Sequence, residues 1–172
     1  MNMSCVTDLA ETSALYAGFA ASFRYPEEAG NWLSGHEFLD AFDPGTNPAA
    51  TPLSEAAYAD IDTSALFEEL VRYYEHFGLR RCETAALPDH LSVELEFMHF
   101  LCELQLVAAA RGENTDPVRK AQQDFIDRHV RHLLDGVLKG LLGKGIDHED
   151  KAVLLVRECL EFVEEHRGMF TD

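Results

Sequence analysis

Cysteine is scarce in this chain of 172 residues, and its four copies, Cys5, Cys82, Cys102 and Cys159, stand far apart with no Cys-x-x-Cys pair. That spacing argues against a zinc knuckle or an iron–sulfur site. Long hydrophobic runs are missing too: no uninterrupted apolar stretch approaches the roughly 18–20 residues of a membrane span. Asp8 and Glu11 interrupt the N-terminus early and no basic segment precedes an apolar core, so no signal peptide is expected. These absences predict a soluble, cytoplasmic protein without stable membrane association. Basic residues are few. Fourteen Lys and Arg against thirty-one Asp and Glu leave a formal charge of −17, which excludes a general nucleic-acid-binding surface. No Gly-x-Ser-x-Gly elbow occurs, and no Cys opens a helix where its pKa would fall. Gly140-Leu141-Leu142-Gly143-Lys144-Gly145 lacks the preceding strand and the Lys-Ser/Thr ending of a phosphate loop. Nothing here reads as an enzyme.

The charge is unevenly placed. Residues 1–71 carry twelve acidic residues and one basic, Arg24, for a net of −11; residues 72–172 carry nineteen acidic and thirteen basic, for −6. An acidic N-terminal portion attracts a basic, amphipathic partner and speeds encounter. The same charge also serves solubility.

No strand-like alternation or internal repeat appears, and the apolar residues recur at helical spacing. Leu9, Tyr16, Phe19, Ala20 and Phe23 form one stripe over residues 8–24, ended by Pro26. A short amphipathic piece at 28–42 carries Trp32, Leu33, Phe38, Leu39 and Phe42, followed by a loop rich in Pro and Gly at 43–52. A helix over 63–77, capped by Asp62 or Thr63, holds Leu66, Leu70, Tyr73 or Tyr74, and Phe77, and Gly78 terminates it. The next, over 89–111, buries Leu91, Leu95, Met98, Leu101 and Leu104 or Gln105. Asp116-Pro117 starts another, carrying Val118, Ala121, Phe125, His129 and Leu133. Four glycines predict a break at 136–146, and a last helix runs from Asp147 to Gly168. Cys102 and Cys159 fall in apolar helical patterns, as buried thiols would. The expectation is an all-α, single-domain helical bundle spanning 1–172, with possible hinges at 43–52 and 136–146.

The most specific wording is Leu87-Pro88-Asp89-His90-Leu91-Ser92-Val93-Glu94-Leu95-Glu96-Phe97-Met98. Pro88 suits a helix entrance, and Asp89 can accept from the free N–H groups of the first turn. His90 and Glu94, four apart, share a face. Upstream stand Tyr73, Tyr74 and Gly78; downstream comes Gln122-x-x-Phe125-Ile126-x-x-His129. In order and spacing these segments resemble the TorD/DmsD/NarJ family, cytoplasmic chaperones dedicated to molybdopterin oxidoreductases. Leu87 departs from that pattern where many members carry Glu before Pro-Asp-His. So do Leu133 and Leu134, where many carry Trp.

The resemblance implies a TorD-like bundle with no cofactor of its own. It also implies a chaperone that binds the twin-arginine leader or the apo-form of a catalytic subunit and assists molybdopterin insertion before export or assembly. The wording leans towards clients of the dimethylsulfoxide-reductase type, and family members occur as monomers and as helix-swapped homodimers. A receptor for paired guanidinium groups and an apolar stretch needs an apolar groove with carboxylates at its rim. Tyr73, Tyr74 and Phe77 are the expected wall. Asp89 and Glu94, following Pro88, are the expected acceptors, and His90 adds a contact that titrates near neutral pH. Two rivals are a small helical metalloprotein using Glu94, Glu96 and His99, and an acidic interaction adaptor unconnected with metalloenzymes. The metal reading needs a second Glu-x-x-His motif, which the chain lacks.

Overall fold

The computed structural model describes residues 3–26, 32–80 and 86–170; Cys82, Glu83 and the start of the 28–42 piece lie outside them. All-α architecture follows from the periodicity, and among the described residues the one extended pairing is an isolated antiparallel bridge between Ser54 and His90. α1 (Met3–Ser22) turns Tyr16 and Ala20 inward, with Phe23 just beyond its end, and lies along α4 (Leu91–Ala110). α4 is the central element: Leu91, Leu95, Met98, Leu101 and Cys102 are fully buried, as a helix flanked on several sides requires. Each such Leu contributes roughly 1.5–3 kcal/mol by leaving water. α2 (Gly35–Phe42) begins at a capping box, where the Ser34 hydroxyl accepts from Glu37 N–H and the Glu37 carboxylate accepts from Ser34 N–H.

α3 (Thr63–His76) is capped by Asp62, whose carboxylate accepts from Ser64 and Ala65 N–H. It ends at Gly78, φ +80°, with Leu79 N–H donating back to Tyr74 O. This αL closure is the one the sequence predicts. α5 (Asp116–Phe125) passes through a π turn (Ile126–Val130) into α6 (Arg131–Gly143). α7 (Lys151–Gly168) packs Val153, Val156, Cys159 and Val163 inward. Its His166 meets the buried Tyr16 hydroxyl at 2.9 Å, and burial pushes that imidazole down to about 4, so it is neutral at physiological pH. Cys102 and Cys159 are buried free thiols, as expected. No described helix is long and apolar enough to cross a membrane.

Three boundaries depart from the sequence reading. Helix α2 begins at Gly35, so Trp32 precedes it; its ring is exposed and its indole N–H donates to Lys151 O at 2.9 Å. The last helix begins at Lys151 on an Asp150 cap, four residues after the expected start at Asp147. The break expected at 136–146 comes only at the end of that span, because α6 runs on to Gly143 and the chain leaves the helix at Lys144, with Gly145 at φ +75°. Gly136 and Gly140 instead let a neighbour come close. A Cβ on Gly136 would lie 2.4 Å from Tyr58 Cγ, and one on Gly140 would lie 2.8 Å from Thr51 Cγ2.

Gly136→Ala is therefore expected to destabilise the fold. Overpacking of about 1–3 kcal/mol outweighs the roughly 0.5–1 kcal/mol that Ala adds inside a helix. Gly143, with nothing within 4 Å of its would-be Cβ, is the control. Thermal melts should show a lower midpoint for Gly136→Ala, none for Gly143→Ala, and partial rescue of the first by Tyr58→Ala.

Candidate functional site

Two motif stretches far apart in sequence meet beside α4. Gln122, Phe125, Ile126 and His129 are all buried. The Phe125 ring lies 4.8 Å from that of Phe97 and 5.2 Å from that of Tyr73. A short 3₁₀ turn (Glu55–Ala57) closes this contact from the other side. The π turn, a distortion often found at functional sites, carries His129 to 3.1–3.2 Å from both Glu55 carboxylate oxygens.

Asp89 does not cap α4. The cap is His90, whose Nδ1 accepts from Ser92 N–H. Asp89 is drawn instead to the segment before the 3₁₀ turn. Its carboxylate accepts from the Ser54 hydroxyl and from Ala56 N–H (3.1 Å), and its backbone O accepts from Glu55 N–H (2.9 Å). Glu94 lies beside it with no exposure, facing Glu55. The rim position expected of Asp89 and Glu94 is thus corrected: both are 0% exposed. Burial, followed by the Glu55 and Asp89 charges, raises the Glu94 carboxyl well above the usual carboxylate range. The titrating contact expected of His90 is corrected as well, since burial lowers its pKa and Nδ1 is engaged as an acceptor.

The aromatic wall divides. Tyr74 is on the signature side, its hydroxyl donating to Pro88 O at 2.7 Å and its ring 4.9 Å from Phe97. Burial and the Glu94, Glu55 and Asp89 charges hold that phenol well above its ordinary pKa, so it stays a neutral donor. Tyr73 turns towards α5, where its hydroxyl donates to Asp124. Tyr73 and Phe77 line a cleft between α3 and α5 that also holds Arg72, Lys120, Asp124 and Arg128. Tyr74 and Pro88 line a different groove of about 740 Å³ between α3 and α4, with Leu79, Val93, Phe97 and Phe100. Its carboxylates are Glu75 and Glu96, and Glu96 is ion-paired with Arg24.

Glu94, Glu96 and His99 do not converge. Glu94 faces Glu55, Glu96 faces Arg24, and His99 Nδ1 lies 2.9 Å from the Ser13 hydroxyl on α1. Among the described residues no group of three His, Cys, Asp or Glu side chains is placed to hold a metal ion. Sequence reasoning missed Glu55 and Ser54. They fall between the 43–52 loop and the start of α3, in a stretch with no periodic pattern.

The sequence profile described as nitrate reductase delta subunit matches residues 9–139. The selenate reductase assembly chaperone protein of Thauera selenatis is 33% identical over 133 residues, covering 67% of this chain and 68% of that protein. The dimethyl sulfide dehydrogenase assembly chaperone protein of Rhodovulum sulfidophilum is 41% identical over 73 residues, 40% of this chain and 29% of that protein. The chlorate reductase assembly chaperone protein of Ideonella dechloratans is 31% identical over 96 residues, 55% of this chain and 50% of that protein. The matched span takes in α1 to most of α6, with both motif stretches and the groove they border, so the chain belongs to the nitrate reductase delta subunit family, the NarJ/TorD group that its motifs resemble.

Proposed function

We propose that this protein is an assembly chaperone, not an enzyme, for the catalytic subunit of a molybdopterin oxidoreductase. Acting in the cytoplasm, it holds the apo-subunit and its leader while the cofactor is inserted. The relatives named as reductase assembly chaperones support the role. The observation that carries the site is the α3–α4 groove, whose apolar walls are flanked by the Glu75 and Glu96 carboxylates and by Arg80. An apolar leader segment lies against Tyr74, Val93, Phe97 and Phe100. Leader guanidinium groups meet Glu75 and Glu96, which exchanges Arg24 for the incoming cation. Asp89 and His90 act one layer down by fixing the turn behind the groove rather than by touching the client, whereas Pro88 lines the groove beside Tyr74.

Co-elution tests the reading. The chaperone should co-elute with the apo-subunit and not with the loaded one. Its affinity for the leader peptide should fall with rising salt without vanishing, because exposed charge attraction is screened beyond about 8 Å at physiological ionic strength whereas apolar contact is not. Equal co-elution with apo and loaded subunit would refute the maturation role. Affinity independent of salt would remove the carboxylates from it.

A further inference from the structure

The segment from Thr51 to Ala59 lies over the signature as a strap. Its backbone is tied at Leu53 O, which accepts from Leu91 N–H at 2.8 Å, and at Glu55 N–H, which donates to Asp89 O at 2.9 Å. Thr51 and Tyr58 press on Gly140 and Gly136 of α6. Beneath the strap two carboxyl groups, Glu55 (4% exposed) and Glu94 (0%), face each other in a dry site.

Among the described residues no N–H or O–H group is directed at either Glu94 oxygen. Every neighbouring donor is committed elsewhere. Tyr74 of α3 donates to Pro88 O, the Ser54 hydroxyl and Ala56 N–H serve Asp89, and His129 Nδ1 of the π turn faces Glu55, with Glu69 3.5 Å from His129 Nε2. An ionised Glu94 here, beside Glu55 and Asp89, would be an acceptor without a donor, at a large desolvation cost. One proton removes the conflict: Glu94 becomes an O–H donor to Glu55.

We propose that the Thr51–Ala59 strap is latched to the signature helix by a single proton held between the Glu94 and Glu55 carboxyls, and that loss of this proton releases the strap. Burial and the facing charges raise Glu94 in the same direction. With the strap open, Glu94 meets water and returns to an ordinary carboxylic acid, so opening releases a proton. The latch is therefore strongest at low pH and weakens as pH rises, until the closed-state Glu94 itself ionises. His129 also faces Glu55 and is another ionisable side chain packed against the latch.

Amide hydrogen exchange at Glu55 and Leu91, corrected for intrinsic rate, tests the latch. From about pH 5.5 upward, above the ordinary carboxylate range, the opening constant of wild type should rise with pH towards tenfold per unit, the linkage of one released proton, until the closed-state Glu94 ionises. In Glu94→Gln, which keeps a donor to Glu55 and cannot ionise, it should be flat. A flat profile in wild type, or the same slope in Glu94→Gln, overturns the latch. If Glu94→Gln does not fold, infrared spectra of wild type decide. A neutral carboxyl C=O band that persists at about pH 6, above the ordinary carboxylate range, and disappears on unfolding is expected, and its absence overturns the proposal.

Discussion

Asp89→Ala should lower the unfolding free energy by about 3 kcal/mol, well beyond the 0.5–2 kcal/mol that loss of a helix cap costs. Its carboxylate is fully buried and accepts from the Ser54 hydroxyl and from Ala56 N–H. Hydrogen bonds to a charged group contribute roughly 1.5–3 kcal/mol each, and removing the acceptor strands two donors out of water. Relief of repulsion from Glu55 offsets part of this. Asp89→Asn retains an acceptor for Ser54 and Ala56 while removing that repulsion, so it should stay within about 1 kcal/mol of wild type. His90→Ala should show the smaller cap-sized loss, since His90 is the residue that accepts from Ser92 N–H. Urea unfolding of the three variants at one pH makes the comparison. Equal losses for Asp89→Ala and His90→Ala would mean that Asp89 does no more than finish a helix.

Much of the fold was legible because local signals and tertiary demands agree. Asp62 caps α3 and Gly78 closes it, and the stripe of Leu66 and Leu70 is buried as its spacing requires. The site was half legible. The spacing of Pro88–Met98 and Gln122–His129 marked two stretches that do meet, at Phe97, Phe125 and His129. What failed was anything decided by the strap. Asp89 is the favoured cap in the sequence; hydrogen bonds to Ser54 and Ala56 take it away and leave the cap to His90. Gly136 and Gly140 read as helix breakers until Tyr58 and Thr51 are seen packed against them. Glu55 lies in a loop with no periodicity, so its burial beside Glu94 had no signal along the chain. The adjacent tyrosines show the same limit. Neighbours on a helix are about 100° apart, and only the packing of α4 and α5 assigns Tyr74 to one groove and Tyr73 to the other.

The groove between α3 and α4 is where the account is most exposed. Val93 is half-buried on its wall, in the first turn of α4, where Glu is a good helix residue and its charge suits the positive helix end. Val93→Glu should therefore fold and melt like wild type while placing a solvated carboxylate where the client's apolar segment rests. Truncated hot-spot contacts cost at least about 2 kcal/mol, which corresponds to roughly thirtyfold in affinity. On the proposed reading the guanidinium groups lie at Glu75 and Glu96, so a carboxylate at position 93, on the apolar wall, adds no contact to them. Calorimetric titration of the apo-catalytic subunit into wild type and Val93→Glu is the decisive measurement. Binding at least about thirtyfold weaker with an unchanged melt is the predicted result; equal affinity for the two proteins would contradict the groove as the client site.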